Sequence, residues 1–368
     1  MASIPRRIAL AGGAALLSGG AAVPKIPPPP PGLHARAATK GLFYGTAVDY
    51  ALLRDDAAYM AHVPRECGMV VGEASFKWEH LRPGPDKFTF EQPEALMSFA
   101  SSRHLRVRGH TLVWHESNPD WLDAELSPAT GERILTTHVR TVVQHFRHRL
   151  AHWDVANEVL NPDDNNPFGM RNTPWLKALG VRYLDIAFEA CAAADPSALR
   201  VLNEFGVDYA VPWEEKKRAA LLNLLASLKA RKVPIQAVGL QAHLDASQVA
   251  LDQKVLHDFV SAIAAMGLSV IITELDVRDN NLPADIASRD VAVAAHARAY
   301  LDAVLACPAV IGVLSWGLSD RRSWLNEKFK RADDLPQRPL PLDAELQRKK
   351  LWDAIADSLA AAPKRTVV

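Results

Sequence analysis

The stretch His152-Trp153-Asp154-Val155-Ala156-Asn157 decides the fold reading. It is short, carries apolar Trp153, Val155 and Ala156, and runs straight into a polar close, Asn157-Glu158. A second run, Ser269-Val270-Ile271-Ile272-Thr273-Glu274, has the same form and also ends on a glutamate. Short apolar runs bounded by polar residues are what strands buried on both faces look like. Working outward, further runs of this kind stand at 43–48, 69–73, 106–112, 200–203, 237–241 and 312–316. Segments of helical period lie between them, the clearest at 136–150, 214–229, 251–266 and 290–306. Eight strands alternating with helices predict an α/β protein built as a single (β/α)8 TIM barrel. A doubly wound sheet would need a glycine-rich phosphate turn after an early strand, and none stands there.

Composition narrows the function. The 368 residues carry 42 basic and 42 acidic side chains, a formal net charge of zero, and 49% are apolar. A phosphate-dominated nucleic-acid partner usually calls for a basic surplus, so none is expected. No internal apolar run reaches membrane-spanning length. Arg6-Arg7 precede the apolar and small residues 8–22, which read as a signal peptide, and the paired arginines suggest the twin-arginine route. Five prolines, Pro27 to Pro31, follow as an extended linker. Residues 1–38 are therefore expected to be signal plus linker, and 39–368 the barrel. The product is expected to be exported, periplasmic or secreted, without a membrane attachment after signal removal, and monomeric. Cys67, Cys191 and Cys307 allow one disulfide or three buried free thiols.

In a barrel the chemistry gathers at the C-terminal ends of the strands. Those ends carry Glu73 with Lys77 and Trp78, His110 with Trp114 and His115, Asn157 with Glu158, Asn203, Gln241 with His243, Glu274 with Asp276, and Trp316. A structural barrel tolerates polar or aromatic residues at one or two ends, not at seven. Glu158 and Glu274 close strands four and seven, which face each other across the mouth. Two carboxyls aimed at one central ligand are what glycosidic cleavage requires, one protonated and one ionised.

Five segments carry a resemblance. They are Val107-Arg108-Gly109-His110-Thr111-Leu112-Val113-Trp114-His115, Trp153-Asp154-Val155-Ala156-Asn157-Glu158, Gly239-Leu240-Gln241-Ala242-His243-Leu244, Ile272-Thr273-Glu274-Leu275-Asp276, and Trp316-Gly317 with Asp320 and Ser323-Trp324. In this order they resemble glycoside hydrolase family 10, the retaining endo-β-1,4-xylanases, over roughly residues 41–360. The resemblance implies Glu158 as general acid/base and Glu274 as nucleophile, with Asn157, His243 and Asp276 in support. It implies that Glu73, Lys77, Trp78, His110, Trp114, Asn203, Gln241, Trp316 and Trp324 contact the sugar, that xylan and xylo-oligosaccharides are the partners, and that no cofactor or metal is used. His115 is expected as support behind the site. Trp121, Trp175, Trp213 and Trp352 are expected to pack, and His138, His145, His148 and His152 to form a solvated face rather than a metal site.

Three positions depart from the family pattern. Ala74 stands where an asparagine contacts the sugar beyond the cleavage site, Ala242 where serine is common, and Glu204-Phe205 where an aspartate-tyrosine pair is usual. Two rival readings stay open at this point. One is a β-1,4-glycanase acting on glucose-based chains; the other is a non-catalytic polysaccharide-binding barrel.

Overall fold

The computed structural model describes residues 31–248 and 251–365. Of the expected signal and linker over 1–38, residues 1–30 lie outside the described residues. Nine parallel strands form the sheet: β1 Phe43–Val48, β2 Met69–Gly72, β3 Arg106–Gly109, β4 His152–Asn157, β5 Leu199–Glu204, β6 Ala237–Leu240, β7 His243–Asp245, β8 Ser269–Arg278 and β9 Val310–Ser315. All but β7 are barrel staves. They pair in chain order, and the cylinder closes where β9 meets β1, with Phe43 opposite Gly312. β6 pairs directly with β8, Ala237 opposite Ser269. The eight expected runs are these eight staves.

Side chains alternate across each stave. Phe43, Ala47, Met69, Val71, Val201, Ala237, Ile271 and Leu314 point inward and fill the barrel. The alternate residues, such as Tyr44, Val70, Val107, Val238, Val270 and Val313, face the surrounding helices in one continuous outer core. Buried charge occupies the barrel centre as well. Arg108 on β3 pairs with Asp154 on β4, both about 1% exposed, and Asp154 also accepts from His110.

Several expectations change. The folded body begins earlier than residue 39: Leu33–Ala38 is a helix, with Leu33 and Ala37 fully buried. The Leu33 N–H donates to Glu66, which also accepts from Trp352, so this helix is tied to the last one, Lys350–Ala361. The expected strand at 269–274 runs on to Arg278, because β7 supplies a parallel partner there with His243 opposite Asp276. The strand at 106–112 stops at Gly109, beyond which the chain keeps only single bonds to β4, such as Leu112 N–H to Asp154 C=O at 2.9 Å. The three cysteines are buried free thiols.

The histidine stretch is not one solvated face. The helix Gly131–His145 buries Ile134, Leu135, His138, Val139 and Val142 against the barrel. His138 lies on that inner stripe, fully buried and stacked on Trp78 at 3.6 Å between centroids. Burial, reinforced by nearby Arg82, holds its pKa well below the ordinary histidine range, so it packs as a neutral ring. His152 is buried inside the start of β4, whereas His148 is well exposed.

Candidate active site

A cleft of about 700 Å³ opens at the C-terminal ends of the staves. Glu158 and Glu274 both line it, together with Asn157, Gln241, His243 and Asp276. Glu274 comes from the middle of β8 and is nearly buried. Its Oε1 accepts from Asn203 Nδ2 at 2.6 Å, and its Oε2 faces His243 Nε2 at 3.2 Å. The other ring nitrogen of His243, Nδ1, lies 2.9 Å from Asp276 Oδ1. Trp324 Nε1–H donates to the second oxygen of Asp276 at 2.8 Å and fixes that carboxylate in turn.

The charges follow from this geometry. Burial opposes a cation at His243, but the charge of Asp276, its hydrogen bond, and Glu274 on the other side together hold the imidazole well above its ordinary pKa. Both ring nitrogens face carboxylate oxygens, so the imidazolium is the form that satisfies both. For Glu274, burial pushes the pKa up. The hydrogen bond from His243, the fields of His110 and His243, and the Asn203 amide outweigh burial and hold the carboxyl at about 2. Glu274 is thus ionised across the working pH range.

Glu158 follows β4 in a different setting. Its Oε2 accepts from Trp114 Nε1 at 2.9 Å and its Oε1 from Gln241 Nε2 at 3.0 Å. Both donors are neutral. A run of amides links the two carboxyls. Gln241 reaches from Glu158 to Asn157 Oδ1, and Asn203 reaches from Asn157 Oδ1 to Glu274. Asn203 is held from below by Thr273, and it needs Gly239 beside it: a Cβ there would lie 2.2 Å from Asn203 Oδ1. Each carboxyl is therefore oriented by the same buried amide frame, while only Glu274 is backed by a cation.

Residues 32–358 match the family model for glycosyl hydrolase family 10. The chain belongs to glycosyl hydrolase family 10. This family 10 glycoside hydrolase is 33% identical over 88% of its length to endo-1,4-β-xylanase A of Phanerodontia chrysosporium, covering 76% of that protein. It is 32% identical over 87% of its length to exoglucanase XynX of Acetivibrio thermocellus, a longer protein of which it spans only 29%. Native xylanase 10B from Thermotoga maritima superposes with a TM-score of 0.81 at 29% identity, covering 89% of this chain and 98% of the other. Xylanase 10B from Thermotoga petrophila in complex with xylobiose gives the same TM-score at 28% identity, with 89% and 97% covered.

Within the family 10 barrel, Glu73, Lys77, His110, Trp114, Gln241, Trp316 and Trp324 line the cleft, as the sequence leads one to expect. Lys77 Nζ lies 4.8 Å from the Trp114 ring centroid, and His110 packs edge-on to Trp316 at 5.3 Å. Glu73 is pushed up to about 7, first by burial and then by Asp49, against the opposing charges of Arg322 and Lys77. Near neutral pH it can both donate to and accept from a hydroxyl.

Two expected sugar contacts do not reach the cleft. Asn203 is fully buried and spends its amide on Asn157 and Glu274. Trp78 is 2% exposed, because the turn at 73–77 swings its ring behind the site. There it stacks on His138, and its N–H donates to Leu112 C=O. Trp78 and Trp175 together prop the loop that carries Trp114: Trp175 packs on Trp78 at 5.2 Å and donates to Trp114 C=O at 3.1 Å. Trp78→Ala is expected to cost about 3–5 kcal/mol of stability, read as a lowered midpoint in urea unfolding. An unchanged midpoint would show that this prop carries no load.

The sequence reading missed the far half of the cleft. Phe205, Asp208, Tyr209, Trp213, Arg278 and Phe329 line it. Trp213, expected only to pack, does pack on Gly206 but also faces the cleft. The one available signal was position: Phe205 follows the strand-end pair Asn203-Glu204, whereas Arg278 closes a strand only once β8 extends beyond its expected end.

The histidine link makes a pH prediction. Removing His243 takes away the hydrogen bond and the positive field that oppose burial, so the pKa of Glu274 must rise. A carboxylate that attacks carbon is active when ionised and is lost as pH falls through its pKa. In His243→Asn the acid limb of kcat/KM is therefore expected to move to higher pH by about 1–3 units, measured on an aryl xylobioside. An acid limb that stays in place would sever the link.

Proposed function

We propose that this enzyme is an endo-1,4-β-xylanase that cleaves internal bonds of xylan with retention of anomeric configuration. The observation that carries the reading is the unequal setting of the two glutamates on one amide frame. Glu274, held ionised by His243 and Asn203, attacks the anomeric carbon. Glu158, held by neutral N–H groups alone, gives its proton to the departing glycosidic oxygen. This leaves a glycosyl ester on Glu274 and an ionised Glu158. Glu158 then takes a proton from water as that water attacks the same carbon, which frees the sugar and restores both residues. Asn157, whose Oδ1 is occupied by Asn203 and Gln241, directs its N–H toward the 2-hydroxyl, a contact that strengthens as the oxocarbenium-like transition state forms.

Proton NMR of the first products from xylo-oligosaccharides tests the reading. Retention requires the β-anomer to form first and mutarotate later, and an initial α-anomer would overturn it. Because one relative is named an exoglucanase, rates on xylan and on carboxymethylcellulose belong in the same assay. Trp316 and Trp324 line the cleft, and rings of that size set against the sugar would restrict an exocyclic hydroxymethyl group, which favours xylose. Faster cleavage of the cellulose derivative would move the assignment to a glucan.

Ala74 stands between Glu73 and Lys77, which line the cleft, at a position where the family pattern has an asparagine. Ala74→Asn is expected to lower KM for xylo-oligosaccharides about five- to tenfold, consistent with one net hydrogen bond, with kcat little changed. An unaltered KM would show that the asparagine side chain does not reach the sugar here. Export completes the proposal, supported by the Arg6-Arg7 leader pattern. N-terminal sequencing of the protein recovered outside the cytoplasm tests it.

A further inference from the structure

Glu158 has φ 54°, in the left-handed region that a residue with a Cβ adopts at a cost of about 1–3 kcal/mol. Something must hold it there. The Glu158 N–H donates to Asn203 C=O at 2.9 Å. Further bonds around residues 158–160 come from two residues outside the cleft, Arg171 and Glu204. Arg171 supplies three donors: its Nε to Glu158 C=O at 2.9 Å, its Nη2 to Leu160 C=O at 3.3 Å, and its own backbone N–H to Val159 C=O at 2.8 Å. Glu204 accepts the Leu160 N–H at 2.8 Å through Oε1.

Glu204 is itself unusual. Its carboxyl is fully buried, and its Oε2 meets Lys217 Nζ at 2.8 Å, with Lys217 also fully buried. Lys217 Nζ lies 3.7 Å from the ring centroid of Phe205, a cleft residue, and the Arg171 guanidinium carbon lies 5.6 Å from the same centroid. Neither Glu204 nor Lys217 lines the cleft, so neither can touch substrate. Stability gives little reason to keep such a pair, since a buried ion pair replaced by apolar side chains is often neutral or stabilising. It falls where this chain departs from the family pattern, with Glu204-Phe205 in place of aspartate-tyrosine.

We propose that Arg171, Glu204 and Lys217 form a clamp that fixes the strained backbone at Glu158 and so sets its carboxyl over the glycosidic oxygen. They are positioning residues, and the inference rests on Glu158 being the acid/base. The chemistry makes the consequence specific. A misplaced acid matters when the leaving group needs a proton and matters little when it does not.

The test compares phenyl and dinitrophenyl β-xylobiosides. Arg171→Met removes the side-chain donors. Glu204→Leu with Lys217→Met removes the acceptor and leaves no unpaired charge. For both variants kcat/KM on the phenyl substrate is expected to fall about 10- to 100-fold, the loss that a misplacement of around 1 Å brings. On the dinitrophenyl substrate it should change by less than about threefold. Arg171→Lys, which keeps one donor, should recover part of the loss. Should the double variant fail to fold, the Arg171 pair carries the test alone. An equal fall on both substrates, or none on either, overturns the clamp while leaving Glu158 as the acid, provided Glu158→Ala shows the same split. If Glu158→Ala shows no split, the acid/base reading fails and the clamp falls with it.

Discussion

Glu274→Ala is expected to reduce turnover by about 10⁴-fold or more on every substrate, good leaving group or poor. Without the carboxylate there is no covalent partner for the anomeric carbon, and proton donation from Glu158 cannot replace it. The defect should therefore be indifferent to the leaving group. The substitution also opens space beside His243 and Asn203, whose donors lose their acceptor. Azide added to the variant should enter that space, attack from the face Glu274 used, and release the phenolate with formation of the α-glycosyl azide. The fold should persist, because the Arg108–Asp154 and His243–Asp276 contacts do not depend on Glu274. Retention of more than a hundredth of wild-type activity, or a β-configured azide product, would remove Glu274 from the nucleophile role.

Glu158→Ala should behave in the opposite way. Phenyl β-xylobioside and xylan, whose leaving groups need a proton, should lose about 10²–10⁴-fold in kcat/KM. The dinitrophenyl substrate should form the glycosyl-enzyme at nearly the wild-type rate. Water then lacks its general base, so the intermediate accumulates and a burst of phenolate precedes a slow steady state. Azide needs no base and should restore the steady state, giving the β-glycosyl azide, since it enters on the face that Glu158 vacates. The two variants thus give azide products of opposite configuration. A Glu158 variant with equal loss on both leaving groups would contradict the assignment.

The barrel was legible because its signal is local. Runs such as 152–157 and 312–316 are short, apolar and separated by helical segments, and buried parallel strands have few other ways to look. The helix Leu33–Ala38 was not legible, since six residues beside a proline run carry no period; its evidence is long-range, Leu33 bound to Glu66. β7 is three residues long and exists only because β8 extends past the barrel rim to meet it. The site followed the same division. Glu158 and Glu274 could be named because strand ends converge in a barrel whatever the loops do. Asn203 and Trp78 stand at comparable positions in the sequence, yet one turns beneath Glu274 and the other behind the Trp114 loop.

By itself, then, the sequence determined the alternation of strands and helices, the residues at the strand ends, and the two glutamates. Burial patterns and residue chemistry repeat along the chain and need no partner to be read. Only the tertiary structure decided what holds Glu274 ionised, that Asn203 faces other side chains beneath the cleft, and what holds Glu158 in its strained backbone. Those outcomes depend on distances of about 3 Å between residues as far apart as Asn203 and Glu274, or Glu204 and Leu160. Hydrogen bonds form only over that range and charge–charge attraction is strongest there, and only the closing of the barrel brings such residues within it.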